Sequence, residues 1–345
     1  MKKFTSIIVL FLGFLPIVNA QNIITVDNST GANAQFSDLQ SAVSSASDGD
    51  IIYIHASVTN YGNITVDKPL TLIGFSHSAA DKKTLITDIV LGENASNSKF
   101  SGLHLTDDFL VQNLNTTLTN ITIENCIIDS VILFNDAGAN NVIIRGNIIG
   151  QIGSTVFGTS ANNYSNTIIT NNIITTRIGV KNHQSVTIKN NLFLQPVTVG
   201  VIFNTGNASG SISVENNILY YSIASTPNPN STGVIFENCL SYNRSSGNVT
   251  TLMGSDNLDN QNPLFIEDND NIIFESTIDN YNLQTNSPAI SAGVNGEDLG
   301  LFDDSSFTFN NFGFTNGIPT IKIEAISTTV APDEDLNVII STTNH

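Results

Sequence analysis

The sequence predicts an all-β protein, a parallel β-helix closed at its N-terminal end by one short helix. Three observations lead there. First, a strand-turn-strand unit recurs as Ile169-Thr170-Asn171-Asn172-Ile173, Ile188-Lys189-Asn190-Asn191-Leu192, Val214-Glu215-Asn216-Asn217-Ile218 and Phe236-Glu237-Asn238-Cys239-Leu240. Second, its pivots stand at positions 74, 102, 125, 146, 171, 190, 216 and 238, so the period is 19 to 28 residues. Helical repeats need about 33 residues or more, and horseshoe repeats need a leucine pattern that is absent here; short stacked strands fit. Third, hydrophobic residues make up 40% of the chain and charged residues 12%, with more Ile and Val than disordered secreted linkers carry.

From the N-terminus, Lys2 and Lys3, an apolar run over residues 7–18 and the small-residue end Val18-Asn19-Ala20 read as a secretory signal spanning residues 1–20. The mature chain is expected in the periplasm or outside the cell, without membrane insertion, since no later run reaches the roughly 18 apolar residues of a membrane helix. Phe36, Leu39, Val43 and Ala46 follow at helical spacing and stop at Asp48-Gly49-Asp50, so an amphipathic helix over residues 36–46 is expected to cap the open end of the solenoid core. The strand Ile51-Ile52-Tyr53-Ile54 comes next, and then the repeats.

Strand alternation within a unit puts Val214, Asn216 and Ile218 inward and Glu215 and Asn217 outward. Asn171, Asn190, Asn216 and Asn238 are therefore expected to stack as an internal ladder at a turn, because Asn tolerates left-handed backbone angles and satisfies turn peptides. Gly158, Gly179 and Gly200, 21 residues apart, suggest a second column that Gly233 continues after a longer coil. The extra length, residues 225–232, is polar and contains proline, as a surface loop does. Beyond Phe302 an Asn- and Phe-rich link leads to two strand-like runs, residues 320–326 and 336–342, on either side of Pro332.

Two stretches resemble a known family. Phe36-Ser37-Asp38-Leu39-Gln40-Ser41-Ala42-Val43, Asp48-Gly49-Asp50, Tyr61-Gly62 and Lys68-Pro69-Leu70-Thr71-Leu72-Ile73-Gly74 look like the start of secreted bacterial right-handed parallel β-helix proteins of the pectate-lyase-like superfamily. Asn262-Pro263-Leu264-Phe265, Tyr281-Asn282-Leu283-Gln284, Ser287-Pro288-Ala289-Ile290-Ser291-Ala292-Gly293 and Asp298-Leu299-Gly300-Leu301-Phe302 look like its closing coils. The resemblance implies a right-handed parallel β-helix over residues 21–302, with residues 303–345 as a linker and C-terminal β tail. It implies no single activity, since the fold carries lyases, hydrolases and adhesins.

The formal net charge is −18, and −20 once Lys2 and Lys3 are removed. Such a surface repels nucleic acid and anionic membrane, and it disfavours strongly anionic polysaccharides where no basic patch or bound cation intervenes. Neutral glycans and cations suit it. A monomer is favoured.

Few residues carry chemistry. The repeat register puts Cys126 and Cys239 in one column five coils apart, about 24 Å at ~4.8 Å per coil, so they are expected to be unpaired. The outward position before each pivot reads Glu124, Arg145, Thr170, Lys189, Glu215, Glu237. Exposed pairs of Glu124 with Arg145 and Lys189 with Glu215 are expected to contribute little. Glu215 above Glu237 is a solvated pair, a cation site with calcium as the possible cofactor, or an acid/base pair. Arg177, Lys181 and His183 share parity on one coil and form the catalytic candidate, as a group that neutralises a carboxylate and moves a proton. Tyr220 and Tyr242, one coil apart with Arg244 beside them, are either an ordinary stack or a carbohydrate-binding platform. His55, His77 and His104 stand apart, without metal-ligand spacing. The leading expectation is a secreted protein that binds an extracellular polysaccharide. The alternatives are a polysaccharide lyase or glycoside hydrolase acting in the solenoid groove, and a structural or adhesive surface protein.

Overall fold

The computed structural model describes residues 21–79, 83–111, 114–153, 162–180, 186–204, 212–269, 273–302, 307–315, 319–327, 329–330, 333 and 335–343. The fold is a parallel β-helix of about eight turns. Its strands pair in parallel with the coils before and after them, forming three sheets. Sheet one runs through Ile23–Val26, Ile51–Ile54, Thr71–Gly74, Lys99–Ser101 and Leu118–Glu124, and continues to Val234–Glu237. Sheet two includes His104–Leu105, Ile148–Ile152, Ile173–Val180, Leu192–Leu194, Ile218–Tyr221 and Leu240–Asn243. Sheet three includes Ile64–Val66, Ile89–Leu91 and Phe109–Val111. The inward residues of all three, among them Ile123, Ile144, Ile169, Ile188, Val214 and Phe236, form one continuous core.

The single α-helix among the described residues, α1 (Leu39–Ser45), buries Leu39, Ala42 and Val43 against the first strands. Asp38 caps it by accepting a 2.7 Å bond from the Ser41 N–H, and the Ser41 hydroxyl together with that N–H holds the Asp38 carboxyl below its ordinary pKa. The helix is shorter than the sequence pattern because Phe36 bridges to Val26 instead. Residues 1–20, read as a signal, lie outside the described residues; no helix among those described is long and apolar enough to cross a membrane.

Seven of the eight repeat pivots are left-handed corners, Gly74 being the exception. Gly102, Asn125, Gly146, Asn171, Asn190, Asn216 and Asn238 have φ between 50° and 69°, the left-handed region that Asn and Gly tolerate. Such a residue turns the chain and resets the alternation of faces, so the expected assignment after the corner is reversed. Asn217, expected outside, is fully buried, and Leu219 rather than Ile218 enters the solenoid core.

The internal ladder is thus built by the second residue of each pair. Asn147 accepts from the Cys126 N–H (2.9 Å), Asn172 from Asn147 (3.0 Å), Asn191 from Asn172 (3.0 Å) and Asn217 from Asn191 (2.9 Å). Cys239 takes the next rung through its sulfur (3.4 Å) and Asn257 the one after (2.9 Å). Both cysteines are free and buried, and burial pushes each thiol up to about 12.

The glycine column does not form. Gly179 pairs with Phe203, while Gly200 is a separate corner with φ 61° and Gly158 lies outside the described residues.

The outward side chains of the pivot asparagines hold a C-terminal strap. Asn238, Asn190 and Asn171 donate to the carbonyls of Ala292 (3.0 Å), Asp298 (3.0 Å) and Leu301 (2.9 Å), and Asn216 to the Glu297 carboxylate (2.9 Å). Further back along the solenoid, Phe307 lies 4.7 Å from the Arg145 guanidinium, and Thr315 reaches the Ser101 hydroxyl at 2.9 Å. Gly146 is required there, because a Cβ would stand 2.3 Å from the Phe307 ring. The Asn- and Phe-rich stretch therefore packs on the solenoid instead of leading away from it.

Residues 262–302 do not continue the coils either. Phe265–Glu267 and Asn280–Leu283 pair antiparallel in a sheet of their own. This segment lies on the outer face of sheet two, where Phe265, Tyr281, Leu299 and Leu301 bury Ile173, Leu192, Ile218 and Leu240 in a second core. Thr320–Ile326 and Val338–Thr343 then form an antiparallel hairpin with Ile321, Ile323, Ile339 and Ile340 exposed.

Candidate functional site

Where the cover over sheet two reaches residues 273–277, a cleft of about 770 Å³ opens between it and the earlier coils. Its floor is Ile127, Ile148, Gly150 and Thr175, extended by Gln195. Ile273 to Thr277 form one wall, and Ser78 and Lys83 the other. A cavity of this size suits a small ligand or a length of polymer.

Asp129 stands in the cleft with half its side chain exposed and bonds the Nε2 of His104 at 3.0 Å. An imidazole bonded to a carboxylate in this way fixes the carboxylate's orientation, which a general base requires. Nδ1 of His104 is buried without a hydrogen-bond partner among the described residues. Behind Ser78, whose hydroxyl lies 2.7 Å from Nδ1 of His77, the His77 ring is fully buried. Burial, reinforced by His104 and Lys83, pushes its pKa down to about 3, so it is a neutral imidazole near pH 7. Glu275 adds a second carboxylate to the cleft. Its backbone N–H bonds Asp279, whose own carboxyl burial pushes up. Together, apolar Ile and Phe faces and scattered carboxylate, amide, hydroxyl and ammonium groups can hold a ring with hydroxyls at its edge.

The residues singled out in the sequence fall in several places. Arg177 lies on Ile173–Val180, in register with Gln151 and two residues beyond Thr175 of the cleft floor. Lys181 and His183 lie outside the described residues. The column from Glu124 to Glu237 is in register throughout, with Glu215 beside Glu237. Glu124 pairs with Arg145 as expected, but its burial and the partner of Lys189 differ from expectation. Glu124 is buried, 3% exposed, and is held by both Lys99 (2.6 Å) and Arg145 (2.8 Å) because Phe307 and the strap cover that corner. Lys189 pairs with Glu297 of the strap at 3.6 Å instead of Glu215.

Tyr220 and Tyr242 are one coil apart with ring centroids 5.8 Å apart. Tyr220 is not exposed: Phe265 packs on it at 5.4 Å, and its hydroxyl donates to Asp268. Arg244 bonds both oxygens of Asp268, at 3.1 and 3.2 Å. Tyr220, Tyr242, Arg244 and Asp268 line a separate cavity of about 250 Å³.

Sequence reasoning missed Lys83, Asp129, Glu275 and Asp268. It also missed the carboxylates of Asp88, Asp107 and Asp108, which approach within 4.8 Å of one another, an oxygen set of the kind that calcium prefers. There, Asp108 raises the pKa of Asp107, while the backbone N–H groups of Asp108 and Val131 occupy Asp88 and Asp108 at 2.9 and 3.1 Å. The available signal was position: Asp129 follows the outward Ile127 that pairs with His104, but that parity is legible only once the corner is known.

Fold and cleft together define a parallel β-helix protein with an external groove. No protein-family model matches the chain, and no curated protein sequence matches it. Among solved structures, that of pectate lyase Pel9A is similar, with a TM-score of 0.47 and 16% identity over 84% of this chain and 98% of that one. A likeness of that degree has no bearing on chemistry or substrate.

Proposed function

We propose that the protein is secreted and binds an extracellular polysaccharide in the cleft over sheet two, as a monomer. The cleft itself is the observation that supports this: about 770 Å³, open to solvent, apolar along its floor and polar at its edges. Sugar rings present the matching chemistry, an apolar face and a rim of hydroxyls. The acidic surface, with a formal net charge of −18, favours an uncharged chain over a polyuronate.

A panel of immobilised neutral and uronate glycans tests the reading. Retention is expected on a neutral glycan and is expected to fall in Asp129→Ala and Lys83→Ala. Folded protein retained by none of them would favour a structural or adhesive role instead.

A second reading is turnover in the same groove. The Asp129 carboxylate favours it, half exposed in the cleft and steadied by His104, because a positioned carboxylate suits proton abstraction or transfer. Arg177, Lys181 and His183 remain candidates for the same chemistry, and Glu215 with Glu237 for a calcium. Release of unsaturated products or reducing ends, lost in His104→Ala, Lys181→Ala or His183→Ala, would establish the enzyme; silence across the panel with glycan retention would leave binding alone.

A further inference from the structure

The cavity at Tyr242 does not belong to the cleft, yet it is its neighbour. Sheet two is in unbroken register across Ile127, Ile148, Ile173, Leu192, Ile218 and Leu240. The cleft uses the first four of these coils and reaches Gln195; the cavity uses the last two, through Tyr220 and Tyr242. The Gln195 N–H donates to the Tyr220 carbonyl at 2.8 Å, so the strands beneath the two sites are one coil step apart, ~4.8 Å, with Phe265 and Asp268 of the cover lying over Tyr220 between them. Five such steps separate the first coil from the last, about 24 Å. An extended glycan advances by a similar distance per ring.

The cavity is small, about 250 Å³ against about 770 Å³ for the cleft, which suits a single ring. Tyr242 is half-buried, and its ring is steadied by Tyr220 at 5.8 Å and, through it, by Phe265. Asp268 is held by two bonds from Arg244 and one from Tyr220, so the cation is already matched by a carboxylate. Glu267 adds a further negative charge to the lining. A uronate carboxylate would therefore meet no surplus positive charge there and would be repelled by Glu267. Asn262 and Gln284 supply neutral amides for hydroxyl groups.

We propose that this cavity is a second sugar subsite, in which an uncharged ring of the glycan held in the cleft rests on Tyr242. The inference depends on glycan binding in the cleft and adds to it a position, a ring-stacking residue and a charge preference.

The test is calorimetric titration of the full chain with neutral oligosaccharide ladders, namely cello-, xylo-, manno- and laminari-oligosaccharides of two to six rings, and with oligogalacturonides of the same lengths. For the neutral series that binds, affinity is expected to rise as the chain grows long enough to reach both sites. In Tyr242→Ala that late gain is expected to disappear, a loss of roughly tenfold for the longest chains, the order that one aromatic face supplies. The shortest chains are expected to bind the variant as they bind the wild type, and Tyr242→Phe should keep the gain because the ring is retained.

Equal affinity of Tyr242→Ala and wild type at every length would overturn the subsite while leaving the cleft intact, as would an equal loss at all lengths. Preference for oligogalacturonides would overturn the uncharged-ring assignment. Absence of binding by every ladder to folded protein would overturn the glycan-binding reading itself, and the subsite with it.

Discussion

Replacing Asn191 by alanine should weaken the fold more than replacing Asn190, its neighbour in the same repeat. The Asn191 amide donates to the carbonyls of Ile169 and Lys189 and to Oδ1 of Asn217, each at 3.0 Å. Its oxygen accepts from the main-chain N–H and the side chain of Asn172, both at 3.0 Å. Removing the side chain strips the acceptor from a buried N–H, which costs about 1–3 kcal/mol, and each remaining bond contributes a net 0.5–1.5 kcal/mol. With partial relaxation, the expected loss is about 3–5 kcal/mol.

Asn190 does less: it holds a φ of 54° and donates to Asp298 of the strap. Alanine there should cost about 2 kcal/mol, from the left-handed backbone and one partly exposed bond. Asn191→Cys should fall between the two, since Cys239 fills an equivalent rung by accepting at 3.4 Å and donating to Val214 at 3.4 Å. Urea unfolding followed by circular dichroism, read as midpoint shifts at constant slope, measures all three. A loss in Asn190→Ala equal to or greater than that in Asn191→Ala would refute the assignment of the ladder.

Three further outcomes are expected. His77 has a folded pKa of about 3 against an ordinary 6.5, so the unfolded chain takes up a proton first as pH falls. Its contribution to stability is complete above pH ~6.5 and is lost toward pH 3 at about 1.4 kcal/mol per pH unit. Wild type should therefore lose stability faster than His77→Gln between pH 6 and 4, and parallel profiles would refute the burial. Cys126 and Cys239, buried with thiols raised to about 12, should resist alkylation at pH 8 in the native state and react together on unfolding. Peptide mapping that found them joined would contradict the register. Glu124→Gln should destabilise by about 2 kcal/mol, because Lys99 and Arg145 both lose a buried carboxylate while keeping access to water; a change within experimental error in urea unfolding would show the triad to be energetically idle.

The solenoid was legible in the sequence because period and backbone chemistry agree. Asn125, Asn171, Asn190, Asn216 and Asn238 mark corners that need positive φ, and the spacing between them sets a register that the strand pairs follow from Glu124 to Glu237. The same register separates the two free cysteines. What lay beyond the corner was not legible, because one left-handed residue reverses the faces and alternation alone carries no sign of it. The strap was hidden for a different reason. Its contacts join residues far apart in sequence, such as Asn171 with Leu301 and Ser101 with Thr315, and no local pattern records them. The cleft inherits both difficulties: its floor depends on the reversed face and its wall on where the C-terminal cover runs.

Hydrogen exchange with and without a bound neutral oligosaccharide tests the placement of the binding cleft most directly. With an oligosaccharide too short to reach Tyr242, protection of residues 127–129, 148–150 and 273–277 is the expected result, since these form the floor and wall of the cleft. Binding accompanied by protection elsewhere, with these three stretches unchanged, would contradict it.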